Sequence, residues 1–289
     1  MESTDRQPRR ISHSMLEAYL QCGKKYELAH TKNLEPDRDS EPLMRGTIGH
    51  YILEGFFNAV KDGMSHKDAF QAAGNRAMQK YLSDPLFPEA LALCGKWVAG
   101  NTDMINRWEV IETEKTEFLP IPGLEDMNGN QIEFPFTVDL YIRDTVSDKY
   151  YIVDFKFISE FYDDDLVALL PQLPKYAGAK RALGHRVDDA YYAMIRTRKL
   201  SADAEDEKRW RTTRLMLTDA RIVEAMRQQV TGMEEMVKRP KLPLRTVNKM
   251  NCGNCSFREI CIAEASQEKT DIIIKHGFRE NSYGYEDVN

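Results

Sequence analysis

The chain has no run approaching the ~20 consecutive apolar residues that a bilayer span requires, so no transmembrane helix is expected of it. The start, Met1-Glu2-Ser3-Thr4-Asp5-Arg6, is polar, so no apolar leader is expected and the compartment is expected to be reducing and cytoplasmic. Cysteine is sparse, five in 289 residues, and in that compartment a disulfide framework is not expected. There is no internal repeat and no low-complexity linker, so neither a solenoid nor a string of tethered modules fits. A net basic charge is lacking too. The formal charge of −6 argues against a nonspecific nucleic-acid coat but leaves room for local basic patches. What is present is 42% hydrophobic residues, ample for a packed core.

The most informative stretch is Tyr150-Tyr151-Ile152-Val153-Asp154-Phe155-Lys156-Phe157. Successive strand side chains point to opposite faces, so Asp154 and Lys156 share one face while Tyr151, Val153, Phe155 and Phe157 share the other. A second strand, Phe134 to Arg143, precedes it across the polar connection Asp144 to Lys149. In a simple hairpin Asp139 and Asp154 are equidistant from the loop midpoint and face each other, with Cβ atoms about 4.5–5.5 Å apart. Two carboxylates so placed repel unless they share a cation. An exposed polar hairpin carrying chance acids is the bland alternative.

Two further phrases flank this hairpin. Upstream stands Gly46-Thr47-Ile48-Gly49-His50, and downstream Gln172-Leu173-Pro174-Lys175-Tyr176. Taken singly, the histidine suits a core or surface position, and a glutamine and tyrosine four apart share one helix face as an ordinary packing pair. Pro174 is tolerable there only near a helix start. In order, Gly-x-x-x-His, Asp139, Asp154-Phe155-Lys156 and Gln-x-x-x-Tyr resemble the PD-(D/E)xK nuclease superfamily, in its RecB-like branch.

That resemblance implies an α/β, restriction-endonuclease-like core. It implies Mg²⁺ or Mn²⁺ held by Asp139, Asp154, His50 and the Phe155 carbonyl. Lys156 then orients the attacking water or stabilises developing charge, and Gln172 and Tyr176 contact DNA. Glu112 and Glu114, expected on one face of the preceding strand, offer an outer-shell carboxylate. The implied activity is that of a metal-dependent DNA exonuclease or end-processing nuclease acting on single strands or ends, in recombination, repair or phage DNA metabolism, with a helicase or recombination protein as a candidate partner. The alternative is a non-catalytic DNA-end-binding or adaptor module of the same fold.

The cysteines form a one-plus-three layout: Cys22, then Cys252-x2-Cys255-x5-Cys261 some 230 residues later. Four thiolates complete either a structural zinc site or an iron–sulfur cluster. Cys94 is left over as a buried apolar residue. Together with the phrase Ile11-Ser12-His13-Ser14-Met15-Leu16, the layout resembles the iron–sulfur subgroup that includes the CRISPR-associated exonucleases and the AddB C-terminal domain. This implies a 4Fe-4S cluster, with structural Zn²⁺ as the alternative, stapling the N-terminal helix to the C-terminal segment. Candidate DNA-facing cations are Lys24, Lys25, Arg196, Arg198, Lys199, Lys238, Arg239, Lys241, Arg245 and Lys249.

The patterning predicts a helix over 14–29, helices over 46–61, 66–82 and 87–105, strands over 108–119, 131–143 and up to 157, a short helix from 172 to 184, a strand over 189–197 and a long helix over 218–238. One domain over 1–289 is expected, with a helical part at about 10–107, a catalytic core at about 108–200 and a C-terminal helix and cysteine segment at about 218–265.

Overall fold

The computed structural model describes residues 7–37, 40–198, 205–238 and 244–280. In chain order its elements are β1 (Arg9–Arg10), α1 (His13–Gln21), α2 (Gly23–Tyr26), β2 (Leu34–Pro36), α3 (Glu41–Lys61), α4 (His66–Tyr81), α5 (Phe87–Gly100), α6 (Thr102–Ile105), β3 (Trp108–Glu125) and β4 (Gln131–Asp144). These are followed by β5 (Lys149–Ile158), α7 (Asp164–Leu169), α8 (Gln172–Ala182), β6 (Asp189–Arg196), β7 (Trp210–Met216), α9 (Asp219–Lys238), α10 (Lys249–Gly253), α11 (Arg258–Ala265), α12 (Asp271–Gly277) and β8 (Phe278–Glu280). Among the described residues no helix is long and apolar enough to cross a membrane.

The chain clusters into two compact units, one of Ser40–Glu117 and Phe136–Met226, the other of Met1–Asp39, Phe118–Pro135 and Arg227–Asn289. In the first, β4, β5, β6 and β7 run side by side and β3 also pairs with β4. The β4–β5 and β6–β7 pairs are antiparallel, and β5–β6 is parallel. A parallel neighbour needs a crossover, which α7 and α8 supply. Local chemistry sets these boundaries. Ser65 caps α4 by accepting the Asp68 N–H, and Asp163 caps α7 by accepting that of Leu166. Asp144 accepts the N–H groups of Val146 and Ser147 and so closes the β4–β5 turn.

The apolar face of β5 is covered by α3 and α5. Phe155 stacks on Phe57 with centroids 5.9 Å apart and meets Trp97 edge-on at 5.1 Å. Truncating such a buried aromatic costs about 3–5 kcal/mol. α3 lies so close that a Cβ on Gly49 would stand 2.1 Å from the Phe157 ring, so only glycine fits there. The other unit holds the short parallel pairing of β1 with the start of β4, the β2–β8 ribbon and a small cluster of Leu28, Phe257 and Ile260.

Two departures from the predicted elements have local causes. The helix predicted over 14–29 is broken at Cys22, whose backbone is extended (φ −163°, ψ 117°). The strand β7 carries the pattern Trp-Arg-Thr-Thr-Arg-Leu-Met, polar enough to read as a loop. Its pairing along the whole of β6 gives it a strand's hydrogen bonds.

Candidate active site

The β4–β5 register pairs Leu140 with Val153, which puts Asp139 and Asp154 next in line, opposite one another, as the hairpin arithmetic predicts. The backbone ladder stops short of them because the Phe155 N–H donates instead to the Asp139 carboxylate, at 2.7 Å from Oδ2. That bond turns Asp139 toward α3. There His50 Nδ1 lies 3.4 Å from Asp139 Oδ2 and 3.2 Å from Glu114 Oε1. The histidine ring rests on Phe155 and Phe157, with centroids 6.4 and 5.8 Å away. The core face of β5 thus supports the ring whose nitrogen faces the acids.

His50, Glu114 and Asp139 each offer one ligand atom, all within 4.8 Å of one another, and no other such group occurs among the described residues. Glu114 reaches it through a backbone irregularity. It has φ +43°, a left-handed conformation that interrupts strand alternation. Thr113 and Glu114 consequently both address α3, through Asn58 and His50. Glu112 departs from the same-face expectation, bonding instead to the fully buried Lys180 of α8 at 2.6 Å. Sequence reading ranked Glu114 as a supporting residue, since no residue-type signal in Glu-Thr-Glu-Lys announces a positive φ.

On the other side of Asp139 runs a line of polar contacts. Lys156 Nζ donates to Asp154 Oδ1 at 2.9 Å and to Gln172 Oε1 at 3.0 Å, and Gln172 Nε2 stands 3.5 Å from the Tyr176 hydroxyl. Asp154 Oδ2 is buried without a hydrogen-bond partner, although the same ammonium lies 2.8 Å away as an ion pair. Gln172 opens α8, so Pro174 falls within its first turn, where a missing N–H costs nothing. The Tyr176 ring is held by Phe136, 5.8 Å between centroids.

The electrostatics are those of an acid cluster short of positive charge. Burial and the neighbouring Asp139 push Asp154 up to about 6 even though Lys156 opposes the shift. Burial and Glu114 raise Asp139 against the pull of His50. Burial alone would lower His50, but Asp139, Glu114 and Asp154 outweigh it and lift the imidazole to about 9. Lys156, also desolvated, is held above its ordinary value by Asp154 and Asp139. A divalent cation fits this group: it would replace the imidazole proton and relieve the carboxylate repulsion.

The cysteine centre belongs to the other unit. Cys22, Cys252, Cys255 and Cys261 are free, partly exposed thiols that line one cavity of about 360 Å³. Thr246 ties two of them, its N–H donating to Cys22 Sγ at 3.5 Å and its carbonyl accepting from Cys252 at 4.0 Å. Burial would raise the Cys22 thiol, but the N–H groups of Lys25, Thr246 and Lys24 and the charge of Arg245 bring it below the ordinary range. Burial and the thiols of Cys255 and Cys22 raise Cys261 despite Arg245. Four thiols lining one cavity suit a thiolate-ligated group. Cys94 stays apart, fully buried in the core of the first unit, pushed up by burial and donating to the Gly49 carbonyl at 3.7 Å.

Of the candidate DNA-facing cations, Lys24 is tied to Glu27 and Glu264, Arg196 and Arg198 share Glu160, and Lys238 pairs with Glu234. Lys199, Arg239 and Lys241 lie outside the described residues.

A family model described as the PD-(D/E)XK nuclease superfamily matches residues 10–262. No curated protein matches the chain. Among solved structures, similar chains include SSO0001, 15% identical with a TM-score of 0.36 over 65% of this chain and 79% of that one. LHK-Exo in complex with dAMP is 13% identical, with a TM-score of 0.27 over 68% of this chain and 90% of that one. The alkaline exonuclease LHK-Exo from Laribacter hongkongensis is 12% identical, with a TM-score of 0.26 over 65% and 93%.

Proposed function

Because the chain belongs to the PD-(D/E)XK nuclease superfamily, we propose that it hydrolyses DNA phosphodiester bonds with Mg²⁺ or Mn²⁺, as an exonuclease or end-processing nuclease in recombination, repair or phage DNA metabolism. A cytoplasmic setting and a helicase or recombination partner go with that reading. The observation that carries it is the convergence of His50, Glu114 and Asp139 beside the line Asp154, Lys156, Gln172, Tyr176. His50, Glu114, Asp139 and Asp154 would hold the cation, with the Phe155 carbonyl as a further oxygen donor. When bound, such an ion neutralises charge on the phosphate and makes water more acidic.

The chain's own groups supply the rest. Lys156, held protonated by Asp154, is a hydrogen-bond donor rather than a base, and stabilises negative charge accumulating on the phosphate. Gln172 fixes the direction of that ammonium through its Oε1. Tyr176, reached by the Gln172 amide, offers a hydroxyl toward the same strand of substrate. End-labelled single- and double-stranded DNA incubated with Mg²⁺, Mn²⁺ or EDTA tests the proposal. Cleavage that needs the metal and disappears in Asp154→Ala supports it; DNA bound but never cut favours the adaptor reading.

The four cysteines are proposed to ligate a 4Fe-4S cluster. Supporting a thiolate-ligated group there, all four line one cavity of about 360 Å³. Iron and zinc analysis of anaerobically purified protein decides: about four irons with a brown colour support the cluster, and one zinc with no colour overturns it.

A further inference from the structure

A cavity lined by His50, Glu114 and Lys156 extends beyond the acidic centre. Its volume is about 580 Å³, and its wall runs from His50, Glu114 and Lys156 to Tyr51, Lys80 and Tyr81. On α3, Gly46, His50 and Glu54 recur every four residues and share a face. Gly46 keeps that face open, since a Cβ there would meet nothing within 4 Å. The opposite end is built by the last turn of α4, which carries Lys80 and Tyr81.

The two tyrosines are held in place. Tyr51 and Tyr81 meet edge to face, 5.4 Å between centroids. Arg76 lies 4.1 Å over the Tyr51 ring, its Nε donates to the Tyr51 hydroxyl at 3.0 Å, and Glu54 takes its other end at 3.1 Å. Arg76 and Glu54 thereby cancel each other's charge. Lys80 differs. It is exposed, rests 4.6 Å over Tyr51 and 5.2 Å over Tyr81, and has no carboxylate partner among the described residues. A cation with no carboxylate partner among the described residues and two immobilised rings therefore share a groove with His50 and Glu114.

Resting on the nuclease reading, we propose that Tyr51, Tyr81 and Lys80 form a subsite for one unpaired nucleotide next to the cleaved bond. Its base stacks on Tyr81, whose ring Tyr51 holds edge to face, and its phosphate pairs with Lys80. Aromatic stacking accepts any base and contributes about 1–3 kcal/mol per base. A base inside a duplex has both faces occupied by its neighbours, so this subsite selects single strands and frayed ends.

The full chain, in EDTA to stop chemistry, is titrated into a fluorescein-labelled oligo-dT and into an abasic strand of the same length, with anisotropy as the readout. The wild type is expected to bind oligo-dT at least about fivefold tighter than the abasic strand. Tyr81→Leu should erase that preference. Lys80→Gln, at an exposed position that folding does not depend on, should weaken both strands by a similar factor and lessen the salt dependence. Equal wild-type affinity for the two strands, no measurable binding, or an unchanged Lys80→Gln titration would each overturn the subsite. Mn²⁺-dependent cleavage of the same oligo-dT tests the nuclease reading separately. Protein that shows the base preference and cuts nothing contradicts that reading alone, and protein that cuts without the preference contradicts the subsite alone.

Discussion

The acidic centre and the cysteine centre each gather several ligating side chains, yet they are assembled in opposite ways. Asp139 and Asp154 come from one hairpin, and their register is fixed by a four-residue loop and by Asp144, which accepts the loop's N–H groups. His50 and Glu114 then close on them from α3 and β3. This centre stands on a deep core and is crowded with like charge, so its geometry persists at a cost in stability. The cysteine centre joins positions some 230 residues apart through short helices with a small apolar cluster beneath. Its thiols are partly exposed. The first is a charge-crowded site on a deep core, the second a half-exposed site on a slight one. Removing a ligand should therefore abolish chemistry in one and structure in the other.

The largest expected effect is on rate. Asp154→Ala should lower cleavage by about 10³-fold or more, a loss of about 4 kcal/mol of transition-state stabilisation. Its melting temperature should equal or exceed the wild type's, because a buried, repelled carboxylate is gone. A cleavage time course and a thermal melt on the same preparation check both halves, and a large fall in melting temperature would break the contrast.

Cys22→Ser should act the other way round. A clip closing a loop of that length contributes about 5–6 kcal/mol by loop-closure entropy. Limited proteolysis should cut the variant's N- and C-terminal segments first, while Cys94→Ser keeps the wild-type metal content. Equal protease resistance of Cys22→Ser and wild type would remove the stapling role.

A smaller change is expected of His50→Ala, about 10- to 100-fold in rate and partly restored by excess Mn²⁺, since the carboxylates remain. A Mn²⁺ titration that leaves the metal dependence unchanged would exclude ligation by His50.

The mildest prediction concerns pH. In the metal-free chain the imidazole is lifted to about 9 by the acids around it, so at pH 8 it carries a proton that a ligating nitrogen must release. Asp154, raised to about 6, is ionised above that value and protonated below it. Mn²⁺ affinity should accordingly fall below pH 6 and rise from pH 7 to 9. The stability that His50 draws from its acidic partners has the opposite course: it is complete below the unfolded value near 6.5 and lost as pH rises through about 9. Calorimetric Mn²⁺ binding at pH 8 in two buffers of different ionisation enthalpy should show about one proton released.

Much of the acidic centre was legible because strand alternation and hairpin symmetry are local rules. They placed Asp139, Asp154 and Lys156 from the sequence, and helical spacing placed Gln172 with Tyr176. Glu114 was harder to rank, as its role depends on a left-handed residue that propensity does not signal. The break at Cys22 was hidden for a related reason, since Tyr-Leu-Gln-Cys-Gly-Lys-Lys-Tyr reads as continuous helix and the extended cysteine interrupts it. β7 escaped because its hydrogen bonds, rather than its own hydrophobicity, make it a strand. The cavity beyond His50 depends on how α4 leans on α3, a tertiary fact with no counterpart in residue spacing.

The most direct test of the account is the degradation of an end-labelled single strand by Asp139→Ala beside the wild type, in Mn²⁺, with circular dichroism showing both folded. The account predicts that the wild type digests the strand, that EDTA stops it, and that Asp139→Ala stays at the EDTA background. Digestion by Asp139→Ala at the wild-type rate would contradict it.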